Sequence, residues 1–309
     1  MRALTRSLLL AALLPLAACG GEGEAQASDA ASPPPAAGGD GRQLNVTLLL
    51  DLSDRVDPEV SPATPSHRDR DLAAAAAVVE AFVAEMRAKG AFAAEGRIRT
   101  LFSPTPADAA VNEVAQGLTT DLGGMSPADK KGVHDGLGAE YQEGLARIYD
   151  AVLAERNYVG ADIWRFFADG DAANLAVDPD PAVRNVLVVL TDGYAYHEAT
   201  VHREGNRTSY LTGSLLEGEG LRDVGGWEQR FREGDYGFVD PGVDLPSLEV
   251  LVLEVAPSEG HPGDFAVMRA YFGKMFEEME VARYEVLKTD LPANTRPLIQ
   301  QFLDGGAAS

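Results

Sequence analysis

Two aspartates carry the clearest chemical signal in this chain. Asp51 ends the apolar run Leu44-Asn45-Val46-Thr47-Leu48-Leu49-Leu50, and Asp192 ends the run Asn185-Val186-Leu187-Val188-Val189-Leu190-Thr191. Ser53 and Arg55 follow the first aspartate, and Gly193 follows the second. Short β-branched and apolar runs closed by turn residues read as buried strands. If both strands lie in one parallel sheet, their carboxyl ends form the crevice where open α/β folds bind ligands. Carboxylates at that edge can hold a hard cation through oxygen or pair with a basic group.

The elements that must position these residues follow in order. After the first strand and a Pro/Ser/Asp-rich loop, a helix is expected over about 71–89. Asp69 or Asp71 serves as its cap, and Val78, Val79, Phe82, Val83 and Met86 form its apolar side. Residues 97–102 alternate like a strand, and 111–122 read as another short strand. A helix is expected over about 137–155, with a short one from Ile163 to about Ala168. After the strand ending at Asp192 comes a long polar stretch, 194–246. A strand over 247–255, a helix over 265–279, a strand over 282–287 and a helix over 296–303 complete the domain. Strands alternating with helices predict an α/β fold, a doubly wound and mostly parallel sheet with helices on both faces. The stretch 194–246 is then an insertion between the fourth and fifth main strands.

The ends of the chain have a different character. Arg2 and Arg6 precede the apolar stretch Leu8–Leu14, and Leu16-Ala17-Ala18-Cys19 follows. This resembles a bacterial lipobox. The resemblance implies a signal peptide over 1–18 and a lipidated Cys19 as the mature N-terminus. Gly20 rather than aspartate follows the cysteine. In such lipoproteins that favours the outer membrane where the cell has one. Cys19 is the only cysteine, so no internal disulfide supports the exported domain. Residues 20–43, with Pro33-Pro34-Pro35, have the composition of a tether without a core. The expected domain is 44–303, with 304–309 as a tail. Losing Arg2 and Arg6 takes the net charge from −22 to −24. So acidic a chain is a poor electrostatic partner for nucleic acid or anionic headgroups, which leaves acyl chains such as palmitate as the membrane anchor.

Asp-x-Ser after the first strand and Thr-Asp-Gly after a later one resemble the von Willebrand factor type A domain. That family implies protein binding without catalysis. It also implies a Mg²⁺ or Ca²⁺ adhesion site built on Asp-x-Ser-x-Ser, a threonine on a middle loop, and a late aspartate. Asp51 and Ser53 match the first motif and Asp192 the last. The threonine loop falls near Gly160-Ala161-Asp162-Ile163, where Asp162 or Ala161 occupies the position. The metal set implied is Asp51, Ser53, Asp162 and Asp192. Arg55 stands where the second serine belongs, and a guanidinium has no acceptor with which to ligate a metal. Two arrangements therefore compete. Either Arg55 points away and a cation is held, or Arg55 is the charge partner of Asp51 or Asp192.

The expected partner is a cell-envelope protein. Tyr194, Tyr196 and Trp227, in the insertion that emerges beside Asp192, are the candidates to face it. The same aromatics could instead form a satellite core under the loop. An exported hydrolase resembling the haloacid dehalogenase-like class would use Asp51 as nucleophile, but Ser53 replaces its acid/base aspartate. A small-ligand-binding lipoprotein, with Arg55 and Asp192 as polar clamps, is the third reading. Asp169-Gly170-Asp171 with Asp180 lacks the glycine and terminal Glu of a calcium loop. His197 and His202 miss the helical metal spacing, His134 and His261 are isolated, and no nucleophile elbow, Walker loop or dinucleotide fingerprint occurs.

Overall fold

A computed structural model describes residues 41–222 and 225–305. The expected signal peptide, the expected lipidation site Cys19, the segment read as a tether up to residue 40 and the expected tail from 306 lie outside the described residues. No helix among the described residues is long and apolar enough to cross a membrane.

The expected doubly wound α/β fold is present. Six strands form one sheet: β1 (Gln43–Leu50), β2 (Arg97–Phe102), β3 (Thr120–Asp121), β4 (Val183–Leu190), β8 (Leu248–Val255) and β9 (Arg283–Lys288). Their order is β3-β2-β1-β4-β8-β9. All neighbours are parallel except β3, which pairs antiparallel with β2 through Arg97↔Asp121 and Ile98↔Thr120. The chain builds outward from β1 in one direction, then returns to its other side with β4. Loops leaving the carboxyl ends of β1 and β4 therefore diverge and leave a crevice between them.

The central strands are apolar on both faces, and each face has its own core. Leu44, Val46, Leu48 and Leu50 of β1 pack with α1 (His67–Lys89), α3 (Pro127–Glu155) and α8 (Pro292–Leu303). Leu49 of β1, Leu187 and Val189 of β4, and Val250 and Val252 of β8 pack with α4 (Ile163–Ala168) and α7 (Asp264–Glu278). β1 and β4 align with Leu50 opposite Leu190, so Asp51 and Thr191 leave the sheet at the same level.

Three elements depart from the sequence reading. Helix α1 starts at His67, capped by Ser66, whose side chain accepts from the Asp69 amide. Neither Asp69 nor Asp71 is the cap, and Asp71 is buried in the helix. Residues 111–117 belong to helix α2 (Ala109–Gly117), capped by Asp108, and only Thr120–Asp121 is extended. Val111 and Ala115, one turn apart, are its buried face, which a two-residue alternation could not separate from a strand. Helix α3 begins at Pro127, not near Leu137, because Ser126 caps it and Pro127 opens it. Its first turns are polar, so apolar spacing alone missed them.

The insertion after β4 carries its own small sheet, β5 (Arg203–Glu204), β6 (Arg207–Thr208) and β7 (Gly237–Phe238), with α5 (Gly213–Gly218) and α6 (Trp227–Glu233). Phe231 and Phe238 make edge-on ring contacts with Tyr271 of α7, at 5.4 Å each. Apolar burial thus ties the insertion to the main domain.

Candidate functional site

The end of β1 turns sharply. The Asp51 amide donates to Leu190 O, and the Asp51 carboxylate accepts the Ser53 amide at 2.9 Å. This aspartate turn leads into a 3-10 turn, Asp54–Val56, that folds Arg55 back beneath the strand ends. The Arg55 side chain is 1 % exposed. Its Nη2 donates to Asp71 Oδ2 at 2.5 Å and to Leu190 O at 3.0 Å. Its Nε donates to Asp51 O at 3.2 Å and lies 3.4 Å from Asp51 Oδ2. Tyr149 of α3 donates to Asp71 Oδ2 at 2.7 Å. Burial opposes the Arg55 charge, but Asp71 and then Asp51 outweigh it, so the guanidinium pKa is raised and the group stays ionised. Of the two arrangements open from sequence, Arg55 takes the inward, ion-paired one. Its principal partner is Asp71, with Asp51 second.

Asp51 is itself closed to solvent. One oxygen is held by the Ser53 amide, and the other accepts Thr191 Oγ1 at 2.7 Å. Asp192 differs. It is half-buried and borders a cleft of about 660 Å³ together with Ser53, Asp54, Tyr158, Ala161, Tyr194 and Tyr196. The Tyr194 amide donates to Asp192 Oδ1 at 3.0 Å, and no side-chain donor meets this carboxylate among the described residues. Burial, then the neighbouring Asp51 charge, raises its pKa.

Asp162 is not brought together with Asp51 and Asp192. It caps α4 by accepting the Arg165 amide at 3.2 Å, and it accepts Thr200 Oγ1 at 2.6 Å. Gly160 and Ala161 are the residues of that loop that border the cleft, and Asp162 is not among its lining residues. Among the described residues, no three His, Cys, Asp or Glu side chains are grouped closely enough to hold a metal.

The aromatic candidates separate. Tyr196 is 47 % exposed on the cleft and stacks edge-on against Tyr210. Tyr194 lines the cleft, with its hydroxyl donating to Asp264 Oδ2 at 2.6 Å. Trp227 packs edge-on against Phe231 within the insertion, away from the cleft. Gly160 also lines the cleft, at φ +85°, packed directly against the Tyr196 backbone, where a Cβ would lie 2.3 Å from Tyr196 O. Only glycine permits this close approach, which is sealed by the Ala161 amide donating to Tyr196 O.

Sequence reasoning gave Asp71 only a capping role and assigned no site role to Tyr149 or Glu254. Asp71 had a signal, since it falls on the face that Ala74, Ala75 and Val78 continue at helical spacing. Glu254 lies near the end of β8, a strand whose only other polar residue is Glu249. Glu254 is 1 % exposed at φ +65°, where the β8–β9 register slips, and it accepts Thr289 Oγ1 at 2.6 Å. Burial pushes its pKa from 4.5 to about 7.

Comparison of the sequence with protein-family models and with curated proteins finds no match.

Removing Arg55 leaves Asp71 and Asp51 buried without a cation. Arg55→Met is expected to cost about 3–5 kcal/mol in urea unfolding, and the double replacement with Asp71→Leu to recover most of that loss. An unchanged midpoint for the single variant would refute the account of Arg55. Glu254 gives a pH signature of defined sign. Its folded pKa lies above its unfolded value, so its contribution is full below about 4.5 and is lost as pH rises to about 7. Wild type should therefore lose stability relative to Glu254→Gln across that window, by on the order of 3 kcal/mol. His67, lowered to about 4 by burial and by Arg55, works in the opposite direction below pH 6.5. The difference between the two proteins is accordingly the readout, and a gap independent of pH would contradict it.

Proposed function

We propose that this chain is a cell-envelope lipoprotein whose von Willebrand type A-like domain binds a protein partner at the strand-end crevice. In this reading Arg55 supplies from within the positive charge that the family takes from Mg²⁺ or Ca²⁺. The observation that carries it is the buried Arg55, held between Asp51 and Asp71 directly below the crevice. A divalent ion needs about six oxygens in its shell. Asp51 already has both oxygens engaged, Asp162 is spent on Thr200 and the α4 amide, and the residue in the second serine position is a cation. That donor set does not fit a resident divalent ion.

Support for the family comes from the strand order with its single antiparallel edge strand, and from Asp51-x-Ser53 and Asp192 on adjacent strand ends. The hydrolase alternative is poorly supported, because a nucleophilic Asp51 would need an open oxygen and it has none. Attachment rests on the lipobox ending at Cys19, with the outer membrane favoured by Gly20 where the cell has one.

The full chain in its native envelope tests this reading. A photo-crosslinking residue at Tyr196 should give one discrete protein adduct that survives chelation of divalent cations. The same residue at exposed Phe92, beside the amino ends of the strands, should not give that adduct. Absence of a Tyr196-specific adduct would sink the binding reading, and loss of the adduct on chelation would restore the metal. Cys19→Ser should move the protein from the membrane to the soluble fraction, and unchanged membrane retention would rule out lipid anchoring.

A further inference from the structure

The crevice has an unbalanced charge. Asp192 borders its floor, and Asp54 and Glu198 line it as well. Among the described residues the one arginine on its wall, Arg156, is already committed to Glu59 and to Asp57 at 3.3 Å. Asp192 meets no side-chain donor among the described residues, and Arg55 is turned away beneath the sheet towards Asp71. An acidic group entering here would meet carboxylates with no lysine or arginine free to answer them among the described lining residues, whose one other basic group is the His197 imidazole. A basic group would complete a charge-assisted hydrogen bond in a partly desolvated place.

The walls favour the same class of occupant. Tyr158, Tyr194 and Tyr196 all line the cleft. Tyr158 donates to Asp57 at 2.7 Å, Tyr194 to Asp264, and Tyr196 leans on Tyr210. Each ring is thus held by a contact of its own. Fixed aromatic rings around a carboxylate suit an ammonium or guanidinium, through ring-face attraction as well as through apolar contact with its methylene stem. A volume of about 660 Å³ exceeds what one side chain fills. It lies in the range of pockets that take a drug-sized group, enough for a long side chain with its flanking backbone.

Resting on the protein-binding reading above, we propose that the crevice seats a lysine or arginine side chain of the partner. Asp192 is the counter-charge and the three tyrosines are the walls. This reverses the charge relation of the resembled family, in which a partner's carboxylate completes a metal's shell. The inversion follows from moving the cation inside, onto Arg55, which leaves the outer carboxylate unpaired.

The test uses the full chain in detergent and four capped pentapeptides that differ only in a central lysine, arginine, norleucine or glutamate, followed by amide NMR. The lysine or arginine peptide should shift the Tyr194 and Tyr196 amides saturably. Norleucine, of equal apolar length, and glutamate should not. Asp192→Asn keeps the oxygen that accepts the Tyr194 amide, and it should weaken binding about tenfold to a hundredfold, as expected for losing a charged hydrogen bond. Glu198→Gln, on an exposed turn, should weaken it less without affecting the fold.

Equal binding of norleucine, or no saturable shift from any peptide up to about 10 mM, overturns the proposal. So does preference for the glutamate peptide in the presence of Mg²⁺. Spermidine binding that outcompetes both basic peptides would mark a small-cation site and likewise overturn it. A Tyr196 adduct that persists while the peptide preference fails removes this inference and leaves partner binding intact. Loss of the adduct alone removes the protein-binding reading.

Discussion

The carboxyl edge of this sheet is organised around one buried guanidinium. Arg55 is held by Asp71 below, by Asp51 beside it and by the carbonyl of Leu190 at the end of the neighbouring strand. A desolvated charge is tolerable only if several partners meet it at once. Here those partners come from the β1 loop, from α1 and from β4, with Tyr149 of α3 completing Asp71. The ion pair therefore acts as a fastener between a central strand pair and the helical layer. It also fixes the path of the loop that carries Ser53 and Asp54 to the crevice.

From that fastener the outer surface follows. Asp51 is consumed by holding Ser53, Thr191 and Arg55, which leaves Asp192 as the carboxylate presented outward. Two different roles have been assigned to two aspartates that look equivalent along the chain. The difference arises because the Asp51 loop curls inward, whereas the Asp192 loop leaves through Gly193 (φ +90°) towards the insertion. The insertion is then pinned by Phe231 and Phe238 on α7, so the tyrosines that follow Asp192 are placed with little freedom. Rigid walls around an open acidic floor suit recognition by pre-organisation, where little ordering entropy is lost on binding.

Much of the architecture was legible from residue patterns alone. The continuous apolar runs of β1, β4 and β8 could only be strands buried on both faces, and the helices between them required parallel crossovers. The helix starts were less legible. Ser66 and Ser126 cap helices whose first turns are polar, and a reading keyed to apolar spacing begins too late. The short helix at 109–117 was mistaken for strand because its buried face consists of only Val111 and Ala115. Of the site residues named from sequence, Ser53 and Asp192 border the crevice, Asp51 and Arg55 lie buried beneath it, and Asp162 caps α4 apart from them. No site role was assigned to Asp71, Tyr149 or Glu254, since a polar residue in a helix or strand carries no mark of which partner it will meet.

The sequence by itself determined the strand-end positions of Asp51 and Asp192, because local apolar periodicity and turn residues suffice to end a strand. It also determined that a positive residue stands where the resembled family has a metal-binding hydroxyl. Only the tertiary structure decided what that residue does. Whether Arg55 turns outward or inward depends on a carboxylate sixteen positions away on α1 and on a carbonyl more than a hundred residues distant on β4. The desolvation cost of burying a charge is repaid only by contacts of that long range. No local pattern encodes them, and they exist only once the helix and both strands have packed.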